Sequence, residues 1–246
     1  MRLLLSALLF NAVGVVFADT YTIVAEDDWY PYSAARNNQA EGLAVDVVKA
    51  AFAAAGAGVQ LKLLPYARCM DEVKKGNEIG CFDTNNSDPN YQADFVYHKE
   101  PLFIGRIAVY APAAFSGTVD VKGLEGHSVG VTIGYSYGVA VDSNTKIKKQ
   151  PAETDIQNLM KLAAGRVEFA LLYDKVADTL VAENKDKFAG KFKAVGVVSE
   201  DGLYISFSKI HPKAAEAMAA FNKGMSTIRS NGTYKKIEDD WNAKLK

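Results

Sequence analysis

The sequence predicts an α/β protein made of two similar units, each with mostly parallel strands flanked by helices. Two observations carry this prediction. Short runs in which apolar residues alternate are followed by runs with helical spacing, and this order of strand, helix and strand occurs twice along the 246 residues. A chain of this length holds one large domain or two small domains of about 100 residues each.

The first unit is predicted as strand, helix, strand, helix, strand. In order, these are a strand over residues 20–25, a helix over 44–55, a strand over 59–63, a short helix through Met70 and Val73, and a strand over 79–82. The first helix is indicated by apolar residues spaced three and four apart, with Gly56 ending it. Strands that alternate with helices in this way pair in parallel.

The second unit repeats the pattern in the middle of the chain. It consists of a strand over 128–133, a helix opened by the capping box Thr154-x-x-Gln157, and a strand over 167–172. The remaining segments are a strand over 203–208, a helix from Pro212 to Asn231-Gly232, and a last helix that begins near Thr233. This C-terminal tail must pack on one of the two units.

The first 18 residues are predicted to be a secretory signal peptide. Arg2 precedes an apolar run, and Val16-Phe17-Ala18 places small residues where a signal peptidase cuts, before Asp19. No cysteine follows the cut, so a lipid anchor is not expected, and the mature protein is expected in the periplasm. The full chain has a formal net charge of −1, and losing Arg2 makes it one unit more negative. That balance argues against a nucleic-acid partner.

The cysteines and histidines say little about cofactors. Export permits a disulfide between Cys69 and Cys81, and the alternative is two buried thiols. The three histidines, His98, His127 and His211, are scattered and form no H-x-x-H pair. No metal site and no cofactor are therefore expected.

One short stretch matches a catalytic motif. Residues 134–138, GYSYG, contain G-x-S-x-G, the turn that presents a nucleophilic serine in α/β-hydrolases. The order Ser, Asp, His can be filled by Ser136, an acid such as Asp174 or Asp201, and His211. However, no H-G-G-G-type oxyanion motif precedes the turn, and two small α/β units do not make one large hydrolase sheet. The spacing is therefore expected to be coincidental, and no catalytic residue is assigned.

Several segments, taken together and in order, resemble a known family. They are EDDWYPY, EGLAVDVVKA, KKGNEIGC, DFVYHKEPL, LEGHSVGV, LAAGRVEFALLYD and SNGTYKKI. This order is similar to that of the periplasmic solute-binding proteins of amino-acid-type ABC importers (bacterial extracellular solute-binding proteins, family 3). The resemblance implies a monomer that captures a small polar solute between two lobes, closes by a hinge and delivers the solute to a membrane permease.

The resemblance also implies where the lobes divide. Lobe 1 would comprise about residues 19–108 plus 206–246, and lobe 2 about 112–202. Two crossing strands, about 108–112 and 203–207, would join them. The C-terminal tail would then pack on lobe 1.

On lobe 1, ligand residues are expected where strands end. The resemblance gives Trp29 as a residue that stacks on the ligand and Glu26 as a contact to a cationic group. Arg68 is a candidate partner for a ligand carboxylate, with an exposed arginine as the alternative. Thr84 and Asn85 follow the cysteine-bearing strand, and either bind a polar ligand or form a turn. The T-x-x-R-type segment, whose arginine holds the α-carboxylate in the family, is absent after this loop.

On lobe 2, the GYSYG turn supplies the candidates. It is expected to offer backbone N–H groups and the Ser136 hydroxyl to an anionic group, with Tyr135 and Tyr137 as walls. The family's acid that holds the ligand ammonium aligns with Tyr173, and Asp174 is one residue later. On a strand such a shift turns the side chain to the other face, so Asp174 is either a ligand residue or a solvated residue at a helix start.

These residues indicate only the chemical class of the ligand. Aromatic rings, Tyr66 among them, and carboxylates, including Asp28, favour a cationic or ring-bearing solute through stacking and cation–π contact. Two alternatives stay open. One is a periplasmic enzyme on the same fold, resembling a cyclohexadienyl dehydratase, and the other is a ligand-sensing partner of a membrane receptor.

Overall fold

The computed structural model describes residues 19–87 and 89–245. The predicted signal peptide, residues 1–18, lies outside this range. None of the helices in the described part of the chain is both long enough and apolar enough to span a membrane.

The elements alternate along the chain as an α/β protein requires. The strands of the described ranges are β1 (Thr20–Glu26), β2 (Asp28–Trp29), β3 (Ser33–Arg36), β4 (Gln39–Glu41), β5 (Gly58–Leu64), β6 (Gly80–Asn85), β7 (Phe95–Tyr97), β8 (Phe103–Pro112), β9 (Ser128–Thr132), β10 (Lys148–Ala152), β11 (Phe169–Tyr173) and β12 (Phe192–Ser208). The helices of the same ranges are α1 (Leu43–Ala54), α2 (Tyr66–Lys74), α3 (Pro89–Asp94), α4 (Val139–Asp142), α5 (Asp155–Ala163), α6 (Asp174–Glu183), α7 (Lys185–Phe188), α8 (Ala214–Ser230) and α9 (Thr233–Lys244).

The main sheet runs through the whole molecule in the order β10-β9-β11-β8-β12-β6-β1-β5, with β7 also paired to β12. At one end β1 pairs in parallel with β5 and β6, and at the other β9 pairs in parallel with β10 and β11. The two long strands β8 and β12 lie antiparallel in the centre. The result is a two-lobed α/β fold, which confirms the predicted fold class.

The central strands are longer than the sequence indicates. The predicted crossing strands, 108–112 and 203–207, fall within β8 and β12, but residues 192–202 also belong to β12. The pairing register of β12 with β8 shifts between Ala194 and Gly196 and again between Val197 and Ser199. Such bulges interrupt the strict alternation by which a strand is identified in a sequence. The proposed lobe boundaries themselves stay predictions.

The C-terminal tail packs on α1. Gly224 of α8 lies so close that a Cβ there would come within 1.7 Å of the Ala51 carbonyl oxygen, so only glycine permits this helix contact. Beside it, the rings of Phe52 and Phe221 lie 5.4 Å apart. The indole of Trp241 in α9 donates to Asp46 of α1 at 2.8 Å. The tail therefore covers the helix that supports β1.

A disulfide joins α2 to β6. Cys69 and Cys81 are fully buried, and their Cα atoms lie 5.8 Å apart. This link fixes the start of α2, where Tyr66 lies, against the strand whose end carries polar residues 83–85. Both elements border the candidate site.

Candidate functional site

The carboxyl ends of two neighbouring parallel strands bring two acids together. Ala25 of β1 pairs with Phe82 of β6, and the next residue on each strand is an acid, Glu26 and Asp83. Both side chains are 5% exposed. Ligands of open α/β sheets bind beyond this edge of the sheet.

Asp83 lies at an irregularity of the sheet. Phe82 pairs with Ile205 and Thr84 with Tyr204, so Asp83 is an extra residue with no partner on β12. A bulge of this kind re-aims a side chain. Neither carboxyl oxygen of Asp83 has a hydrogen-bond partner within the described residues, and burial raises its pKa well above the usual range of an aspartate.

Glu26 is bound from the opposite side of the site. The Tyr135 hydroxyl donates to its Oε1 at 2.6 Å, and Ser33 Oγ donates to its backbone carbonyl at 2.7 Å. Burial raises the pKa of Glu26 well above its usual range, although the Tyr135 hydrogen bond acts to lower it. The nearby acids Asp155 and Asp83 raise it further. Burial and repulsion between like charges both disfavour the ionisation of a second acid at this site.

Trp29 is buried in an aromatic cluster. Its ring lies 4.7 Å from that of Tyr32 and 4.7 Å, edge to face, from that of Tyr173. The Tyr135 ring is 6.4 Å away. The indole Nε1 is buried and has no acceptor within the described ranges. Trp29 therefore forms one wall of the site, and its indole N–H is available to donate a hydrogen bond to a ligand.

Thr84 and Asn85 lie at the same strand end as Asp83. Thr84 Oγ1 and the Tyr66 hydroxyl form a hydrogen bond of 3.1 Å. The Asn85 amide donates to the Ser136 carbonyl at 3.4 Å, across the site, and its oxygen accepts from Ser87. Both side chains are buried and make hydrogen bonds inside the protein.

The GYSYG turn is stabilised by an acid of its own chain. Ser136 Oγ donates to Asp142 at 2.7 Å, and the Tyr137 backbone N–H donates to the same carboxylate at 3.0 and 3.1 Å. The Tyr137 hydroxyl accepts from the Thr132 N–H at 2.6 Å. In this structure Asp142 therefore accepts from the Ser136 hydroxyl and from the Tyr137 N–H. The expectation that the turn binds an anionic group stays a prediction.

The start of α5 forms another wall of the site. Thr132 Oγ1 donates to Asp155 Oδ1 at 2.5 Å, whereas Asp155 Oδ2 has no partner in the described part of the chain. Burial, opposed by this hydrogen bond, raises the pKa of Asp155 to about 7. The predicted capping box does not form: Thr154 makes no capping bond, and Gln157 instead accepts from the Glu153 N–H at 3.0 Å.

These residues surround two adjoining cavities that share Glu26, Tyr66 and Tyr135. The inner cavity has a volume of about 10 Å³, and its other lining residues are Trp29, Asp83, Asn85, Ser136 and Tyr173. The outer cavity has a volume of about 650 Å³, and its other lining residues are Asp27, Asp28, Ala35, Pro65, Ala67, Ile133, Glu153, Thr154 and Asp155. Every charged residue in the two linings is an acid.

The structure brings most of the predicted site residues together. Six line the inner cavity, namely Glu26, Trp29, Asn85, Tyr135, Ser136 and Tyr173. Thr84 and Tyr137 are buried directly behind them through their bonds to Tyr66 and Thr132.

Two candidates lie elsewhere. Arg68 is exposed on α2 and lines neither cavity. Asp174 also lines neither cavity, and its carboxylate pairs with Arg106 at 2.8 Å. Their roles in ligand binding stay predictions.

Sequence reasoning did not single out Asp83 and Asp155. Asp83 directly follows the buried strand over 79–82, so the strand-end rule that selected Thr84 and Asn85 also applied to it. Asp155 is one of the two unspecified residues inside the predicted capping box Thr154-x-x-Gln157, and it was given no role. Only the tertiary structure shows that both carboxyls are buried with an oxygen left unpaired.

The arrangement does not support serine hydrolysis. Ser136 donates to a carboxylate and has no imidazole beside it. His98 accepts from the Ile205 N–H, and His127 pairs with Glu168. His211 accepts from the Lys213 N–H at 3.1 Å. Within the described residues, no group of three or more histidine, cysteine or acidic side chains is placed to hold a metal ion.

No family model matches the sequence, and no curated protein sequence matches it either. Solved structures do match. A histidine kinase sensor domain with similarity to periplasmic binding proteins superposes with a TM-score of 0.79 at 18% identity, covering 90% of this chain and 95% of the other.

The structures of two amino-acid-binding proteins superpose on this chain about equally well. An ancestral arginine-binding protein bound to arginine gives a TM-score of 0.76 at 20% identity, over 90% of this chain and 97% of the other. The arginine-, lysine-, histidine-binding protein ArtJ from Geobacillus stearothermophilus gives 0.75 at 17% identity, over 90% and 94%. At these identities the similarity shows the fold, which is the two-lobed fold of periplasmic binding proteins.

Proposed function

We propose that this protein is a periplasmic solute-binding protein that captures a small cationic solute, an amino acid or an amine, between its two lobes and delivers it to an ABC permease. The observation that carries the proposal is the charge of the cavities. Five acids, Glu26, Asp27, Asp28, Glu153 and Asp155, line the outer cavity, and Lys, Arg and His are absent from its lining. Such a cavity attracts cations and repels anions.

The cavity suits a small molecule in size and shape. Its volume of about 650 Å³ falls within the range of ligand pockets, roughly 300 to 1,000 Å³. Tyr66 and Tyr135 place aromatic rings beside the acids, with centroids 5.3 Å apart and nearly perpendicular. A cation between acids and rings gains both charge pairing and cation–π attraction.

Residues from both ends of the sheet meet at the site, as capture between lobes requires. Glu26 is the last residue of β1, and its partner Tyr135 follows β9. The Tyr91 hydroxyl, beyond β6, donates to the Gly134 carbonyl at 2.8 Å. A solute that replaces such contacts favours the closed arrangement of the lobes by its differential affinity.

The proposal is tested by thermal shift and calorimetry on the protein from residue 19 onward. Lysine, arginine, histidine and aliphatic diamines form one panel, and glutamate and aliphatic dicarboxylates form the other. A true ligand at about 100 times its Kd stabilises the folded state by about 2.7 kcal/mol. Members of the cationic panel are expected to do so. Stabilisation by the anionic panel alone would overturn the proposal.

Glu26→Gln provides a matched variant, because it keeps the acceptor for Tyr135 and removes a carboxylate from both cavities. We expect it to weaken cation binding at least tenfold. The ligand recovered after binding should be unchanged by NMR, whereas a converted ligand would indicate an enzyme on this fold.

A second function, sensing for a membrane receptor, is favoured by the likeness to a histidine kinase sensor domain. Uptake of the labelled solute in cells with and without the gene separates the two functions. Loss of uptake supports transport. Unchanged uptake with loss of a transcriptional response would support sensing.

A further inference from the structure

We propose that the inner cavity binds a primary ammonium group on Asp83, and that the ligand bears no carboxylate beside that ammonium. This inference rests on the proposed function and narrows its ligand from cationic solutes in general to aliphatic amines. It is carried by the unpaired groups of the cavity, by its size and by the charges that line it.

The unpaired acid is the first observation. Asp83 is 5% exposed, lines the inner cavity, and has no hydrogen-bond partner for either carboxyl oxygen within the described residues. Buried polar groups are nearly always paired in folded proteins, so an orphaned carboxyl indicates a missing partner. Glu26 lies at the matching position on the neighbouring strand β1, and its carboxyl group accepts one hydrogen bond, from the Tyr135 hydroxyl. A cation placed between the two acids relieves their repulsion.

The second observation is the size and the surface of the cavity. About 10 Å³ is the space of about one water molecule, which a primary ammonium head resembles in size. A trimethylammonium head is several times larger. Four aromatic rings also line the cavity, those of Trp29, Tyr66, Tyr135 and Tyr173. An ammonium group there gains cation–π attraction on the sides that the acids do not contact.

The third observation concerns a ligand carboxylate, which finds no cationic partner here. Among the described residues no Lys, Arg or His lines either cavity, and Arg68 is exposed on α2 outside both. The Ser136 hydroxyl and the Tyr137 N–H of the GYSYG turn already bond to Asp142. The indole N–H of Trp29 has no acceptor in the described part of the chain, but one N–H does not neutralise a carboxylate that faces both Asp83 and Glu26. An amino acid's α-carboxylate is therefore selected against.

The first experiment compares matched ligands on the unmodified protein. Lysine and 1,5-diaminopentane differ only in the carboxylate, as do arginine and agmatine. Calorimetry is expected to show that each carboxylate-free member binds at least tenfold more tightly. Trimethylation of one end of 1,5-diaminopentane leaves the other ammonium available, whereas trimethylation of both ends should abolish binding.

Asp83→Asn tests the residue, with Asp71→Asn on the exposed face of α2 as the same substitution away from the cavities. Asp83→Asn should weaken 1,5-diaminopentane at least tenfold, and it should raise the melting temperature of the ligand-free protein, because a buried acid without a partner is removed. Asp71→Asn should change neither. Weakened binding together with a lowered melting temperature would indicate a structural role and overturn the assignment of Asp83.

The outcomes separate this inference from the function on which it rests. Tight binding of lysine or arginine with weak binding of their carboxylate-free partners would overturn the inference and leave cationic solute capture intact. Failure of every cation in the panel would overturn both.

Discussion

Two polar turns face each other across the site, and they are held in different ways. The turn after β6 is fixed from outside, by the Cys69–Cys81 disulfide that joins its strand to α2. The GYSYG turn after β9 is fixed from within, by Asp142, which accepts from Ser136 and from the Tyr137 N–H.

The difference decides which turn has groups left for a ligand. In the GYSYG turn, Asp142 already accepts from the Ser136 hydroxyl and the Tyr137 N–H, although the sequence of the turn resembles a catalytic motif. At the end of β6, Asn85 accepts from Ser87, but neither carboxyl oxygen of Asp83 has a partner among the described residues. A carboxylate is therefore structural on one side of the site, where Asp142 is half-buried, and available on the other, where Asp83 is buried.

Removing the disulfide should have the largest effect on stability. The double substitution Cys69→Ala with Cys81→Ala opens a link between residues 12 apart in sequence. The loop-entropy cost predicts a loss of about 3 kcal/mol in the free energy of unfolding. Urea denaturation measures it. A loss below about 1 kcal/mol would mean that the β6 turn is held mainly by other contacts.

Asp142→Ala should have the next largest effect. It leaves the Ser136 hydroxyl and the Tyr137 N–H without their acceptor, which costs on the order of 1 to 3 kcal/mol. Ser136→Ala removes only one of these donors and is expected to cost less. An unchanged urea midpoint for Asp142→Ala would contradict the conclusion that Asp142 holds the GYSYG turn in place.

The stability of the ligand-free protein should fall as pH rises. The pKa of Asp155 in the folded protein is about 7, above its ordinary value of 3.8. Folding therefore favours the protonated acid; its contribution is fully present below pH 4 and is lost as pH rises through about 7.

We expect a decrease of about 2 to 3 kcal/mol between pH 5 and pH 8 from this residue. Urea unfolding across that range measures the slope, and Asp155→Asn should flatten it, since Asn keeps an acceptor for Thr132 but does not titrate. Parallel slopes for the two proteins would show that other groups cause the pH dependence.

Asp174→Ala should have the smallest effect. The Arg106–Asp174 pair is partly exposed, with side-chain exposures of 52% and 23%, and such pairs contribute about 0 to 1 kcal/mol. Because Asp174 lines neither cavity, ligand affinity by calorimetry should stay within twofold of the unmodified protein. A tenfold loss would instead place Asp174 at the ligand, as its position in the sequence first indicated.

The sequence alone determined the α/β class, the helices over 44–55 and from Pro212 to Asn231-Gly232, and the strands that end at the site, because these depend on local periodicity. The rule that strand ends of parallel sheets meet at one edge selected the loops that hold Glu26, Trp29 and Tyr135, and the family resemblance gave Glu26 and Trp29 their roles. Residues 192–202 of β12 escaped prediction because its bulges break the alternation on which strand prediction relies.

Only the tertiary structure decided which polar groups are used up in folding and which are left over. Ser136 has the sequence signature of function, yet its hydroxyl is held by Asp142, six residues away. Asp83 has no motif, yet it is buried beside Glu26 without a partner in the described part of the chain. The physical reason is that pairing and burial of a polar group depend on how the folded backbone places its neighbours, whether they are near in sequence, as Asp142 is to Ser136, or distant, as Glu26 is to Asp83. Sequence spacing does not encode that placement.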